Sequence, residues 1–586
     1  MAKLIELDQE TKTKIGNDIV DTWHLDNTDR EQWLADLAKW LDAYQGRHVE
    51  KDIPFKGASN IHVPVTATVV ETIHPRIMAA LARPKPIVGF RPQEESDYGL
   101  ARARETFLDW SLREEINIFP SLDRTVLNTL VYGIQFVKAN WELRIRKVRD
   151  KHEFPLDTPP EQMIEALLGE EGKFAEALAR VVGGKLEATI KGHKVSFEVE
   201  KGSRYISVYT ERDEVVYDAP VVTLIPAEDL SVNSDAPFDL QQADHIYHRY
   251  WMTYDQIKRE VKKGIFSATK EELEKIKALE QPDSSLDDNT SDIKYIKDQV
   301  AGVNAVSKQS KPNKIELIDG YFKHDVDDDG YDEEVIVTIP KNAPSVILRA
   351  VRLEEVFRHG YRPFVCFYFN PTGDSIYAIG IPQILEGPQA EFNIIHNQRT
   401  DAGFIANTPF GVYVPAAGFN PEKMPIEPGY MYPVDDVNAV KWYAPPHNPA
   451  WAFQEEGLLW TIVERRTKVN DLSIGRVGES QGAARTASGV NVLASQQATG
   501  FDIYIRRFQE SFKLLIQQIL ALYQQYMPPG KKVRILGAKG DPVTTVSRDD
   551  IRGNMDMEFT GNALSTDRQI EREAMTFLAQ SVLAPA

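Results

Sequence analysis

The 586-residue chain holds a single cysteine, Cys366. One thiol cannot form an intrachain disulfide, and this one sits inside the apolar run FVCFYF. It reads as a buried packing residue in a fold that relies on no oxidising compartment. Long apolar runs are missing too. No stretch of eighteen apolar residues exists, which excludes a membrane-spanning helix. The N-terminus, MAKLIELDQETKTKIGND, lacks the apolar core and small-residue cleavage site of a secretory signal. Positive charge is scarce: 68 Lys and Arg face 87 Asp and Glu, a formal net charge of −19. Tight non-specific DNA binding driven by counterion release is therefore not expected. Contact with DNA stays open, because a surface that DNA must slide along would be hindered by a strongly cationic lining.

Catalytic signatures are also lacking. The stretch SIGRVGESQGAARTASGVNVL, Ser473–Leu493, is glycine-rich and precedes a long helical pattern. A Walker loop needs G-x-x-x-x-G-K-[ST] after a strand, whereas this stretch has no lysine and follows a helical pattern. The dinucleotide pattern G-x-G-x-x-G and the G-x-S-x-G elbow are absent. His62, His74, His245, His248, His396 and His447 match no zinc spacing. His245 and His248, three apart in an apparent strand, face opposite sides. No catalytic residue, cofactor or metal is assigned.

What is present is length for several domains and an ordinary globular composition, 42% apolar and 26% charged. Thr28-Asp29-Arg30-Glu31 has a capping-box pattern ahead of Trp33, Leu34, Leu37, Trp40, Leu41 and Tyr44 at helical spacing. Helices are predicted over Val65–Ala82, with Pro75 bending it, Ser96–Asn117 and Ser121–Tyr132. Strands follow in IQFVKANWELRIRKV, TIKGHKVSFEVEKG and YISVYTERDEVVYDAPVVTLIP. Residues 160–182 form a polar, Glu-rich helical pattern typical of a surface insertion. Thr253–Ile265 and Ala268–Glu280 read as short amphipathic helices. About 281–312 is polar, turn-rich and expected to be flexible. Strands resume over Ile315–Phe369.

The last third reads as a helix over Ile381–Ala406, a proline-dense β-rich stretch, a helix from about Gln454 to Leu472, and a helix over Ser488–Met527. In the last, Phe501, Ile505, Phe508, Phe512, Leu515, Ile519, Leu522 and Tyr526 step alternately by four and three, a single apolar stripe. Gly500 is the expected bend. Strands are predicted at Lys532–Leu536 and Met555–Thr560, and a final helix starts at Ser565 or Thr566.

Two local features carry chemistry. HDVDDDGYDEE, His324–Glu334, resembles the first half of a calcium loop, but the twelfth position is Ile336 rather than a bidentate glutamate. An Asp/Gly turn whose carboxylates cap its own amides is the competing reading. Basic residues gather around the glycine-rich stretch: Arg465, Arg466 and Lys468 before it, Arg476 and Arg485 within it, Arg506 and Arg507 after it. Those within it are the better placed to touch a phosphate backbone.

The C-terminal order of elements resembles that of tailed-bacteriophage portal proteins, head-to-tail connectors, particularly those of short-tailed phages. GIPQILEGPQAEFNIIHNQRTDAG, PGYMYPV, ERRTKVNDLSIGRVGE and RTASGVNVL carry the resemblance. FKGASNIHVPVTATVVETIHPRIMAAL and VVTLIPAEDLSVNSDA with DLQQADHIYHRYWMTYDQIKRE extend it over most of the chain. The resemblance implies an α+β portal-type fold. Residues 1–380 would be the wing, 381–406 and 454–474 the stem helices, and 407–453 a β-rich clip. Residues 475–487 would be the tunnel loop, 488–527 the tunnel helix, 528–564 further wing strands and 565–586 the start of a crown helix. Arg476, Ser480, Gln481 and Arg485 would face the channel. It further implies a ring, usually a dodecamer, at the portal vertex of the virion capsid, assembled in the host cytoplasm. Its partners would be double-stranded DNA passing through, terminase, tail adaptor proteins and the major capsid protein, with no membrane and no enzymatic activity. Twelve copies at −19 each would carry −228, suited to passing DNA without holding it. The alternatives are another adaptor or tail protein of the virion, or a metal-dependent nucleic-acid enzyme.

Overall fold

The computed structural model describes residues 3–46, 58–91, 97–155, 158, 178–182, 185–190, 193–198, 205–279, 314–326, 330–373, 375–407, 410–414, 438, 440–443, 450–469, 487–528, 531–533, 544–546, 548, 551 and 556–559. Residues 160–177, 281–312, most of the expected clip, the expected tunnel loop and the expected crown helix lie outside these residues.

The chain opens on α1 (Gln9–Asp29), which the capping-box reading did not anticipate. Asp8 starts it, its carboxylate accepting from the amides of Glu10 and Thr11, groups that otherwise have no partner in a first helical turn. Thr28 is not a cap: it lies in the last turn of α1 and its hydroxyl donates to the His24 carbonyl. α2 (Glu31–Gln45) starts beside Arg30 without a side-chain cap. Tertiary bonding replaces the local signal here. The Arg30 guanidinium is buried and donates to the carbonyls of Ala227, Glu228 and Leu230 and to Asn27 Oδ1.

α3 (Val65–Ala82) has the predicted bounds with Pro75 inside, and β1 (Val88–Arg91) follows. α4 (Asp97–Trp110) widens into a π turn over Ser111–Glu115. That turn brings Ser111 and Glu115 together on the Tyr523 hydroxyl, at 2.6 and 2.5 Å. α5 (Phe119–Tyr132) leads into β2 (Ile134–Pro155). The next strands are β3 (Leu178–Val182), β4 (Lys185–Ile190), β5 (His193–Glu198) and β6 (Tyr205–Ile225). β3 corrects the reading of 160–182 at its end: Leu178–Val182 is a strand paired with β4, as its β-branched pair Val181-Val182 favours. The sheet order is β12-β2-β6-β5-β4-β3, with β12 at Phe364–Tyr368. β2 and β6 stay paired from Phe136↔Ile225 to Pro155↔Tyr205, with a bulge after Arg144. The base of this ribbon is buried and its outer part exposed.

A second antiparallel sheet has the order β11-β10-β9-β8-β7. It comprises β7 (Leu230–Ser231), β8 (His245–Met252), β9 (Ile315–His324), β10 (Glu333–Pro340) and β11 (Arg349–Arg352). Ile15, Ile19 and Trp23 of α1 pack on one face, over Ile318, Val335, Val337 and Ile339. α6 (Tyr254–Lys262) and α7 (Lys270–Ala278) each carry a complete capping box, Thr253/Gln256 and Thr269/Glu272, and shield the sheet's end through Ile257 and Ile276.

β13 (Asn370–Thr372) and β14 (Ser375–Ile379) form a hairpin before α8 (Ile381–Asn407). β15 (Phe410–Tyr413) pairs with β16 (Val440–Tyr443) between α8 and α9 (Ala450–Thr467). α9 begins four residues before the expected Gln454 and ends five before Leu472. The Thr467 hydroxyl turns back to the Val463 carbonyl and accepts from the Val469 amide, while Lys468 has φ 61°, which ends the helix. α10 (Ala487–Tyr526) spans 40 residues, about 60 Å at helical rise. Phe501 through Leu522 of its predicted stripe are buried against α3, β2 and β12. Gly500 has a packing reason: a Cβ there would lie 3.1 Å from Lys468 Cδ. β17 (Lys531–Val533) pairs with β18 (Thr544–Val546), and β19 (Asp556–Phe559) pairs with β1. The whole is a mixed helix-and-sheet protein of α+β type.

Candidate functional site

The paired helices α8 and α9 carry the most unusual chemistry. Gln389, Asn393, Asn397 and Asp401 recur every four residues, so they line one edge of α8. Along that edge runs the extended segment 58–64, held by side chains instead of a neighbouring strand. Asp401 Oδ1 accepts from the Ser59 amide at 2.6 Å. Asn397 Oδ1 accepts from the Ser59 hydroxyl and the Ile61 amide, and its Nδ2 donates to the Ile61 carbonyl at 3.0 Å. Asn393 Oδ1 accepts from the Val63 amide. Gln389 donates to the Val63 carbonyl and accepts from the amide and hydroxyl of Thr66 at the start of α3. Gln389 and Asn397 are buried, so leaving either side of this clasp unpaired is costly.

α8 and α9 run antiparallel. As the α8 partner advances from Ile384 through Phe392 to Arg399, the α9 partner recedes from Arg466 through Trp460 to Phe453. Glu456 is the polar centre, 3.2 Å from Arg399 and 3.6 Å from His396. Ala452, Leu459, Val463 and Thr467 form the buried face of α9. At 100° per residue Phe453 and Trp460 lie on the flank towards α8. Trp451, Leu458 and Ile462, spaced by seven and four, lie on the opposite flank. These three are exposed. A monomer that displays tryptophan, leucine and isoleucine in one stripe has an uncovered contact surface.

The loop residues expected to face DNA, Arg476, Ser480, Gln481 and Arg485, lie outside the described residues. Of their basic neighbours, Arg466 donates to the Ile384 carbonyl, and Arg507 donates to the Phe369 carbonyl and Asn370 Oδ1. Both serve packing. At the acidic turn, Asp325 Oδ2 accepts from the Gly330 amide and Glu333 Oε2 from the Val326 amide. This is the capped-turn chemistry, joining β9 to β10; Asp327 and Asp329 lie outside the described residues. Among the described residues, no cluster of three His, Cys, Asp or Glu side chains could hold a metal. Cys366 is buried, and burial pushes its thiol up.

The histidines divide as their spacing predicts. His245 Nε2 meets Asp26 Oδ2 at 3.0 Å on the α1 side of the sheet, and His248 lies beside Lys138 on the other. Burial, then the Lys138 charge, holds His248 well below its ordinary value. His359 is pushed down to about 4 by burial. In both, the folded state refuses a proton that the unfolded chain takes up below about pH 6.5. Stability should therefore decline as pH falls from 6.5 towards 4. Because His359 is partly exposed, its share should be a fraction of the about 1.4 kcal/mol per pH unit a shielded group gives. His359→Gln should flatten that part of a urea-midpoint profile; an unchanged slope would refute the assignment.

The sequence reading missed the clasp and the flanking stripe. A period-four row of amides within an apolar helix was the available signal for the first. For the second it was the seven-residue spacing of large apolar residues on both flanks of α9.

The described residues thus comprise a long buried helix, an antiparallel helix pair and two larger antiparallel sheets. The profile of the family described as Phage SU10 portal protein matches residues 19–585. The chain belongs to this family of phage portal proteins, and it serves as the portal, the head-tail connector and conduit for DNA packaging in the virion. The family is structural. Membership implies a homo-oligomeric ring at the capsid vertex, with capsid, terminase and tail partners. No curated protein matches the chain. Among the described residues no helix is long and apolar enough to cross a membrane.

Proposed function

We propose that the chain works as a ring of twelve copies in which α8 and α9 are the stem lining the channel. The observation that carries this is the apolar stripe Trp451, Leu458 and Ile462 on the flank of α9 away from α8. A closed ring built from heterologous contacts needs two different faces on each subunit. The α8–α9 pair supplies one such face in this stripe, and exposed Ile394 and Phe404 on α8 offer a complement. In this reading residues 1–380 form the wing, 407–453 the clip that docks terminase and later the tail adaptors, and 475–487 the tunnel loop. Residues 488–527 form the tunnel helix, 528–564 return to the wing and 565–586 begin the crown. Arg476, Ser480, Gln481 and Arg485 make brief, exchangeable contacts with passing DNA phosphates, and the chain itself hydrolyses nothing. The ring is assembled in the host cytoplasm and stands against the major capsid protein.

The test is mass measurement of the assembled protein beside a Trp451→Glu, Leu458→Glu variant. Wild type should give a ring, and the variant should shift to monomer with its circular-dichroism spectrum unchanged. A variant ring as stable to dilution as wild type would overturn the stem assignment.

A further inference from the structure

One row of side chains stands in register across the second sheet: His248 on β8, Asp319 on β9, Thr338 on β10 and Arg349 on β11. Directly opposed residues share a face, so the row is a polar strip on the side turned towards β2. It borders a cavity of 490 Å³, a size that accommodates small organic ligands. Trp141, Tyr250, Tyr321, Phe357 and Tyr526 supply aromatic lining, with the rings of Trp141 and Tyr526 5.7 Å apart and 32° from parallel.

The charges here do not balance. Asp319 Oδ1 accepts from the Thr338 hydroxyl at 2.7 Å and the Tyr250 hydroxyl at 3.0 Å, and Oδ2 lies 3.7 Å from Lys138 Nζ. Lys138 is buried and faces the rings of Tyr321 and Phe364. Its neighbour His248 stays neutral. Asp319 is the one carboxylate of the lining, and it is engaged by Lys138, whose ammonium burial disfavours and the Asp319 charge favours. The Arg349 guanidinium lines the cavity, half-buried, and makes no hydrogen bond or ion pair among the described residues. A partly buried cation without a counter-charge favours an anion.

We propose that this cavity binds an organic oxyanion carried on a flat ring, the oxyanion on Arg349 and the ring against the aromatic walls. The planar guanidinium fork matches a carboxylate or a phosphate ester. Aromatic lining contributes stacking area without demanding further polar groups from the ligand. All the lining residues belong to one chain.

Calorimetric titration of the full-length protein tests it, with benzoate as the carboxylate probe and phenyl phosphate as the phosphate probe. Benzamide and phenol are their neutral counterparts. At least one anion should bind about tenfold tighter than its neutral counterpart, and Arg349→Gln should remove about that factor. Arg506→Gln, an exposed cation on α10, should leave binding unchanged. Because the guanidinium has no hydrogen-bond or ion-pair partner among the described residues, the Arg349→Gln melting temperature should match wild type. If that variant does not fold, Arg349→Lys, which keeps the charge but loses the fork, should still weaken binding. Carboxylate-only or phosphate-only binding names the source of the oxyanion. Failure of both anions to bind at millimolar concentration, or equal binding by the Arg349 variant, overturns the site.

Discussion

Replacing Arg362 with methionine should lower the free energy of unfolding by about 3–5 kcal/mol, read as a fall in urea midpoint at unchanged slope. Arg362 is 1% exposed. Its Nε and Nη2 grip both oxygens of Glu334 at 3.0 and 2.8 Å, and Nη1 donates to the Ala243 carbonyl. Its backbone is held as well: Gln241 accepts from its amide, while Gln241 and Gln518 donate to its carbonyl. One residue therefore joins the segment before β8, the strand β10 and the helix α10. Methionine fills similar volume but strands the Glu334 carboxylate and leaves carbonyls without donors. Lysine should recover only part of the loss, since a point charge cannot serve both carboxylate oxygens. A cost below about 1 kcal/mol for methionine would mean that the fork contributes little beyond packing.

Asn397→Ala should produce the second large effect, and a more local one. The substitution removes an acceptor shared by Ser59 and Ile61 and the donor to the Ile61 carbonyl. Three bonds at about 1 kcal/mol each, with backbone groups left unpaired in a part-buried groove, give a cost of about 2–4 kcal/mol. Hydrogen exchange should report it at the Ile61 and Val63 amides, accelerated roughly a hundredfold, with little change in α10. Equal acceleration throughout the protein would show that the clasp opens only in global unfolding. Unchanged exchange would show that it does not hold the segment at all.

Much of the architecture could be read from residue patterns because the signals were local. Val65–Ala82, the α10 stripe and the two short amphipathic helices that became α6 and α7 each follow from spacing within one segment. The errors share a physical cause. Thr28 had a capping pattern, but Arg30 found better partners some 200 residues away, and the local cap lost. α1 went unnoticed because Ile15, Ile19 and Trp23 make a narrow stripe in a polar helix. The channel-facing assignment of Arg476, Ser480, Gln481 and Arg485 rests on likeness of order. The clasp and the Arg349 cavity needed the third dimension, since their members lie on segments that only folding brings together.

The clasp has a metrical consequence. Four residues of helix advance about 6.0 Å and two residues of extended chain about 6.6 Å. Two unlike polymers are thus nearly commensurate, as Asp401, Asn397 and Asn393 meeting residues 59, 61 and 63 illustrate. The mismatch of about 0.6 Å accumulates with every step, like the divisions of a vernier, so such a seam holds for a few steps and then loses register. Gln389 marks that limit, reaching past Val63 to Thr66. Such a seam resists creep: sliding the extended segment by a single residue would turn every bonded amide away from its acceptor at once. The N-terminal segment is thereby indexed to the α8–α9 pair like a key in a lock of fixed pitch.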